Sequence, residues 1–199
     1  MKRTILIVAM MLAGLGGAWA NEVYIEQVGD SSTIAITQDG TGNKVGDSGT
    51  GNEAFIGGGS NVVTIDQVGS NNTLAMVLNG AAASATVNVT GSGNQSVINC
   101  GTTASAGCSG SAITQVISGD DNTVTQNLGT GANHTSTINI TGNTNTVTHT
   151  STNSGASNVN ITATGNLNNI GVTQSGLTAK TVSVNSTGNS NTVNITQSD

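Results

Sequence analysis

A glycine stands three residues before each of eight recurring anchor positions, and this pairing constrains the chain more than any other feature. The anchors are Ser32, Asn52, Asn72, Asn94, Asn122, Asn145, Asn168 and Asn191. Their glycines are Gly29, Gly49, Gly69, Gly91, Gly119, Gly142, Gly165 and Gly188. Successive anchors lie 20, 20, 22, 28, 23, 23 and 23 residues apart. Self-similarity at such a period means stacked supersecondary units that bury a core only against their neighbours.

The flanks of each anchor alternate with period two, as expected of strands with one buried side. Before the glycine stand Val23/Ile25, Val63/Ile65, Ala85/Val87, Val159/Ile161 and Val182/Val184. After the anchor stand Ile34/Ile36, Leu74/Met76, Val147/His149, Ile170/Val172 and Val193/Ile195. Polar residues, chiefly Thr and Asn, fill the positions between. Each unit reads as strand, Gly-x-x-Asn arc, strand and a looser link. Gly and Asn suit the arc because both tolerate positive φ.

Apolar positions on both sides of a short arc suit two strands that face each other across a thin core. The backbone hydrogen bonds then run to the next unit along a stack. The spacing therefore predicts an all-β fold, a two-sheet parallel β-solenoid of about eight strand-arc-strand rungs of 20–23 residues. Each rung should rise about 4.8 Å. The rung around Asn52 is the most degenerate and is expected to be the least regular.

Composition agrees with this reading. Aromatic residues make up 2% of the chain, charged residues 7%, and proline is absent. Thr (31), Gly (28), Asn (26) and Ser (21) together exceed half of the 199 residues. Large apolar groups are too few for one globular core, and charges too few for a solvated disordered tail. Helical bundles, nucleotide-binding α/β folds and coiled coils are excluded. Nothing in the chain supplies the proline that would block a strand edge.

Residues 1–20 read as an export signal. Lys2 and Arg3 precede an apolar run from Ile5 to Leu15, and Ala18-Trp19-Ala20 is a small-x-small site that places cleavage between Ala20 and Asn21. Residues 21–199 then form the repeat region, with a longer loop near 100–112. The mature chain keeps two cations, Lys44 and Lys180, against ten acidic residues. This balance argues against nucleic-acid binding, which needs clustered Lys and Arg.

The repeats resemble the curlin family of bacterial curli fibres, whose pattern is Gln-x-Gly-x-x-Asn-x5-Gln. The first unit matches through Gln27, Gly29, Ser32 and Gln38, and another through Gln67, Gly69 and Asn72. The last two supply Gly165, Asn168 and Gln174, then Gly188, Asn191 and Gln197. The ladder glutamine is replaced elsewhere by Leu78, Ile117, Leu128 and Ile140, so the chain resembles a divergent member. The resemblance implies an exported subunit that passes through the periplasm and an outer-membrane secretion pore. It also implies polymerisation with itself, and with a related nucleating curlin, into amyloid-like fibres of the biofilm matrix used in adhesion.

Gln27, Gln38, Gln67, Gln174 and Gln197 share the inward parity of the aliphatic residues, which suits amide ladders bonded rung to rung. Cys100 falls at a ladder site and Cys108 in the loop that lengthens one spacing to 28 residues. Export favours a disulfide between them, with free thiols or pairing between chains as alternatives. His134 and His149 form no zinc spacing with the cysteines, and His149 reads as a polar residue in an inward slot. No Ser-His-Asp constellation is recognisable, so the expectation is no enzyme, no cofactor, no metal and no small-molecule substrate. The competing function is a monomeric solenoid that acts as an adhesin or fibre tip, or binds ice or glycan through a flat threonine face. Thr123/Thr125 and Thr146/Thr148 would begin such an array, which Asn169 and Gly171 then break.

Overall fold

The computed structural model describes residues 4–7, 20–47, 54–100, 108–129, 131–152 and 154–199. Every regular element among them is a strand. The first nine are β1 (Thr4–Ile7), β2 (Glu22–Val28), β3 (Thr33–Thr41), β4 (Lys44–Val45), β5 (Ala54–Gly57), β6 (Val62–Ser70), β7 (Thr73–Asn79), β8 (Ser84–Ser92) and β9 (Gln95–Cys100). The remaining eight are β10 (Ala112–Ser118), β11 (Thr123–Leu128), β12 (Thr135–Thr141), β13 (Thr146–Ser151), β14 (Ser157–Thr164), β15 (Asn169–Gln174), β16 (Lys180–Thr187) and β17 (Thr192–Gln197).

The strands form two sheets, and the chain alternates between them. One sheet runs β1-β2-β4-β7-β9-β11-β13-β15-β17, with β5 beside β4 between β2 and β7; the other runs β16-β14-β12-β10-β8-β6-β3. All pairings are parallel except β1 with β2. The fold is thus the expected two-sheet parallel β-solenoid.

Parallel register stacks like on like along the axis. One inward column of the first sheet reads Val23, Val45, Leu74, Ser96, Val124, Val147, Ile170 and Val193. The facing sheet stacks Ile36, Ile65, Val87, Gln115, Ile138, Ile161 and Val184. The core is a thin seam between them, fully closed from Val45 to Val172. Its largest fully buried side chains are Ile, Leu and Met, and among the described residues no Phe, Tyr or Trp is buried in it.

The first units correct the sequence reading. Gly29 and Ser32 occupy the arc at the opposite edge from the other glycine-asparagine arcs, level with Gly58 and Asn61 of the next turn. The place expected for Gly49 and Asn52 on the main arc is taken by Gly40 and Asn43, since Gly40 is in register with Gly69. Gly49 and Asn52 lie outside the described residues. The physical reason is that both edges use Gly-x-x-polar turns at the start of the stack, Gly29 to Ser32 and Gly58 to Asn61 on one and Gly40 to Asn43 and Gly69 to Asn72 on the other, so spacing alone does not tell one edge from the other. Counted in register, the second sheet has seven strands and the first places one more level, β2, ahead of them.

Candidate functional site

The main arc begins with a glycine at strongly positive φ, such as Gly69 (119°), Gly142 (121°) or Gly165 (114°). Two residues later comes a second left-handed residue, here Asn71, Thr144 and Leu167. The anchor asparagine itself is not left-handed, contrary to the role expected for it. Its amide turns into the interior and bonds the stack. Glycine is required at the first position because a Cβ on Gly142 would lie 2.1 Å from the carbonyl oxygen of Gly165.

Asn145 shows the bonding pattern of the anchors. Its backbone N–H and its Nδ2 both donate to Oδ1 of Asn122, at 2.9 and 3.0 Å, and Nδ2 also donates to the carbonyl of Gly165 at 2.8 Å. Each asparagine therefore ties its own rung to the one before and the one after. The same bonds join Asn43, Asn72, Asn94, Asn122, Asn145 and Asn168, and the ladder ends at Asn191, whose N–H donates to Oδ1 of Asn168. Its first member is Asn21, whose Oδ1 accepts from the N–H of Asn43 at 3.0 Å. An exposed ladder runs beside it in the opposite sense. The N–H groups of Asp120, Asn143 and Asn166 donate to Oδ1 of Asn143, Asn166 and Asn189, each on the following rung.

The other edge is less uniform. Its column holds Ser32, Asn61, Ala83, Ser111, His134 and Ser157, joined in part by bonds from the N–H of Asn61 to Oγ of Ser32 and from the N–H of Ser157 to Nδ1 of His134. At Lys180, the next position, the ammonium reaches Asp199 at 2.5 Å. That hydrogen bond, with those from Thr178, holds the Asp199 carboxyl well below the usual carboxylate range. The other cation of residues 21–199, Lys44, pairs with Glu22 at 3.1 Å, and this neighbour raises its pKa.

The glutamines fall into two sets instead of one ladder. Gln38 donates to Oε1 of Gln67 at 2.8 Å on the second sheet. Gln174 donates to Oε1 of Gln197 at 3.0 Å on the first. Gln27 belongs to the column of Gln174 and Gln197 but sits at its far end, beside Ile56, because the first unit is offset by half a turn. Cys100 and Cys108 are joined by a disulfide and are both buried.

Two further glutamines, Gln115 and Gln126, are fully buried and were not expected at the core. Ser96 donates to Oε1 of Gln115, Gln115 to Oε1 of Gln126 at 2.6 Å, and Gln126 to Oγ of Ser136 at 2.5 Å. Ser136 continues to Nδ1 of His149 at 3.1 Å. This polar chain crosses between the sheets at each step. Burial lowers the His149 pKa to about 4, against an opposing contribution from the Gln174 amide, and lowers that of His134 as well. Inward parity was the one signal that could have found Gln115 and Gln126. Their partners lie on the facing sheet, which no spacing along the sequence reveals.

Among the described residues no group of three His, Cys, Asp or Glu side chains is placed to hold a metal. No family model, curated protein or solved structure matches the chain. What the arrangement offers is a stack of backbone and amide ladders with open ends. In the first sheet β17 has a partner on one side only, and in the second β3 and β16 are the outermost strands.

Proposed function

We propose that the chain is a secreted structural subunit that stacks end to end with copies of itself into a curli-type, amyloid-like fibre for adhesion and biofilm matrix. The observation that carries this reading is the likeness of the two end strands of the first sheet. Val23-x-Ile25-x-Gln27 in β2 and Val193-x-Ile195-x-Gln197 in β17 occupy the same three inward columns. Continuing the parallel register past β17 would set Val193 on Val23, Ile195 on Ile25 and Gln197 on Gln27 of the next copy. Both strands would gain a ladder of hydrogen bonds, and the paired glutamines would extend the bond that Gln174 makes to Gln197.

The asparagine ladder supports the same joint. Its last oxygen, on Asn191, would meet the amine end of Asn21 in the next copy. Low charge matters as well, since stacking places like side chains about 5 Å apart. The second sheet is one strand short, so each joint leaves a gap between β16 and the next β3, and joints become the places where fibres break. Residues 1–20 act in this reading as an export leader removed before assembly.

Residues 21–199 at neutral pH should convert, after a lag, into unbranched fibres with a meridional repeat of about 4.8 Å. Fragments of those fibres should abolish the lag because they supply ready edges. A mature chain that stays monomeric for days at micromolar concentration, seeded or not, would overturn the fibre reading. It would favour instead a monomeric surface binder, for which the outer column Thr64, Thr86, Thr114 and Thr137 is the natural face.

A further inference from the structure

The single antiparallel pairing among the described residues lies on the edge that assembly needs. β1 runs against β2, with Thr4 opposite Gln27, Ile5 opposite Glu26, Leu6 opposite Ile25 and Ile7 opposite Tyr24. The other side of β2 is occupied by β4 and β5. Glu22 donates its N–H to Asn43 on that side. Alternate residues of a strand point their N–H groups to opposite sides, so those of Ile25 and Gln27 point toward β1. These are the groups that β17 of a second copy would use. Among the described residues no strand covers the opposite end, where β17 and β16 are the outermost strands.

We infer that the leader strand is a one-sided cap, and that the full-length chain is a terminator of fibres built from the shorter one. This inference rests on the fibre reading. A full-length copy can dock its open β17 on a fibre end that displays β2. The end it then presents is its own β2, already paired with β1, and no further copy can add. At the other fibre end an incoming copy must offer β2, and the full-length chain has none to offer. Antiparallel pairing makes the block effective, because it satisfies the edge without itself presenting the parallel template. Loss of residues 1–20 would thus switch on growth as well as complete export.

Seeded growth of residues 21–199, followed on single fibres, tests this with small additions of the full-length chain. The expected result is arrest at one fibre end only, at a dose matched to the number of ends and far below the concentration of mature chain. A full-length chain whose residues 4–7 are replaced by Gly and Ser keeps the bulk of the leader and loses the strand; it should elongate fibres at both ends. Arrest by this variant too would make the effect one of bulk and overturn the inference, as would elongation by the unaltered full-length chain. A second readout does not need fibres. In monomeric full-length chain the amides of Ile25 and Gln27 should exchange slowly, and they should exchange many times faster once residues 1–20 are removed. Equal exchange in both forms would refute the cap even if fibres grow, whereas slow exchange without any fibre growth would keep the cap and sink the fibre reading.

Discussion

Nδ1 of His149 lies 3.1 Å from the hydroxyl of Ser136, at the end of a run of hydrogen bonds that starts at Ser96. Ser136 accepts from Gln126, so its own proton is free to go to Nδ1, and the neutral ring carries its hydrogen on Nε2. A second proton would remove the acceptor and place a charge in the seam.

Acid should therefore loosen the solenoid. The folded-state pKa of His149 is about 4, below its ordinary value of 6.5, so the unfolded chain binds the proton first as pH falls. The associated stability is fully present above pH 6.5 and is lost as pH drops toward 4; it amounts to about 3 kcal/mol. His134 shifts in the same direction and adds to the slope. Urea unfolding of residues 21–199 at pH 7 and at pH 4.5 should show the loss, and His149→Gln should flatten it. A variant with an unchanged pH slope would count against a buried neutral imidazole.

The anchor amides should matter more than any single aliphatic contact on the same rung. Replacing Asn145 by Ala removes its Nδ2 from Oδ1 of Asn122 and from the carbonyl of Gly165, and it takes away the oxygen that accepts from the buried N–H and Nδ2 of Asn168. The expected cost is about 2–4 kcal/mol, measured as a shift in unfolding midpoint. Asn145→Asp should cost more, since it also buries a charge. Asn191→Ala at the open end should cost far less, because its Nδ2 reaches only the carbonyl of Thr187 in its own rung.

The fold class and most of the arc were legible from Gly-x-x-Asn and from the alternation around it. From Asn72 onward each anchor lies where its spacing put it, because glycine at positive φ and an inward amide leave the chain one way to turn. The first two units were not legible. Gly29-x-x-Ser32 has the right residues for either edge, and its true neighbours are Gly58 and Asn61, 29 residues further on. Asn21 passed unnoticed as the head of the ladder because no strand of the second sheet precedes it. The path Ser96, Gln115, Gln126, Ser136, His149 depends on which residues face each other across the seam, and that is a property of the closed stack.

Arc backbone offers a gain as well as losses. Leu167 holds a left-handed conformation (φ 59°) with its side chain exposed, at a position where another rung has Gly93. Leucine is strained there, and asparagine tolerates it better. Leu167→Asn should raise stability by about 0.5–1 kcal/mol in thermal unfolding. Gly142→Ala, at the start of a neighbouring arc, should instead be among the most damaging single-methyl changes. Its Cβ would meet backbone that has nowhere to move.

Register and assembly can be tested together on β15. Val172 is buried and Thr173, its neighbour, is exposed. Val172→Asp puts an unpaired charge into the seam, an expense of several kcal/mol, and a fibre would repeat it in every copy. Seeded growth should slow sharply or stop. Thr173→Asp points the same charge to solvent, where it meets Thr150 and Thr196 on the adjacent strands and only its own copies at subunit spacing. Growth should fall modestly and recover with added salt, as screened like-charge repulsion does. Gln174→Asn keeps an amide but shortens its reach to Gln197, and should lie between the two. Growth rates of the three variants at one ionic strength decide the matter. Equal damage from Val172→Asp and Thr173→Asp would mean that the alternation of this strand does not survive into the assembled state, and the stacked solenoid would then be the wrong picture of the fibre.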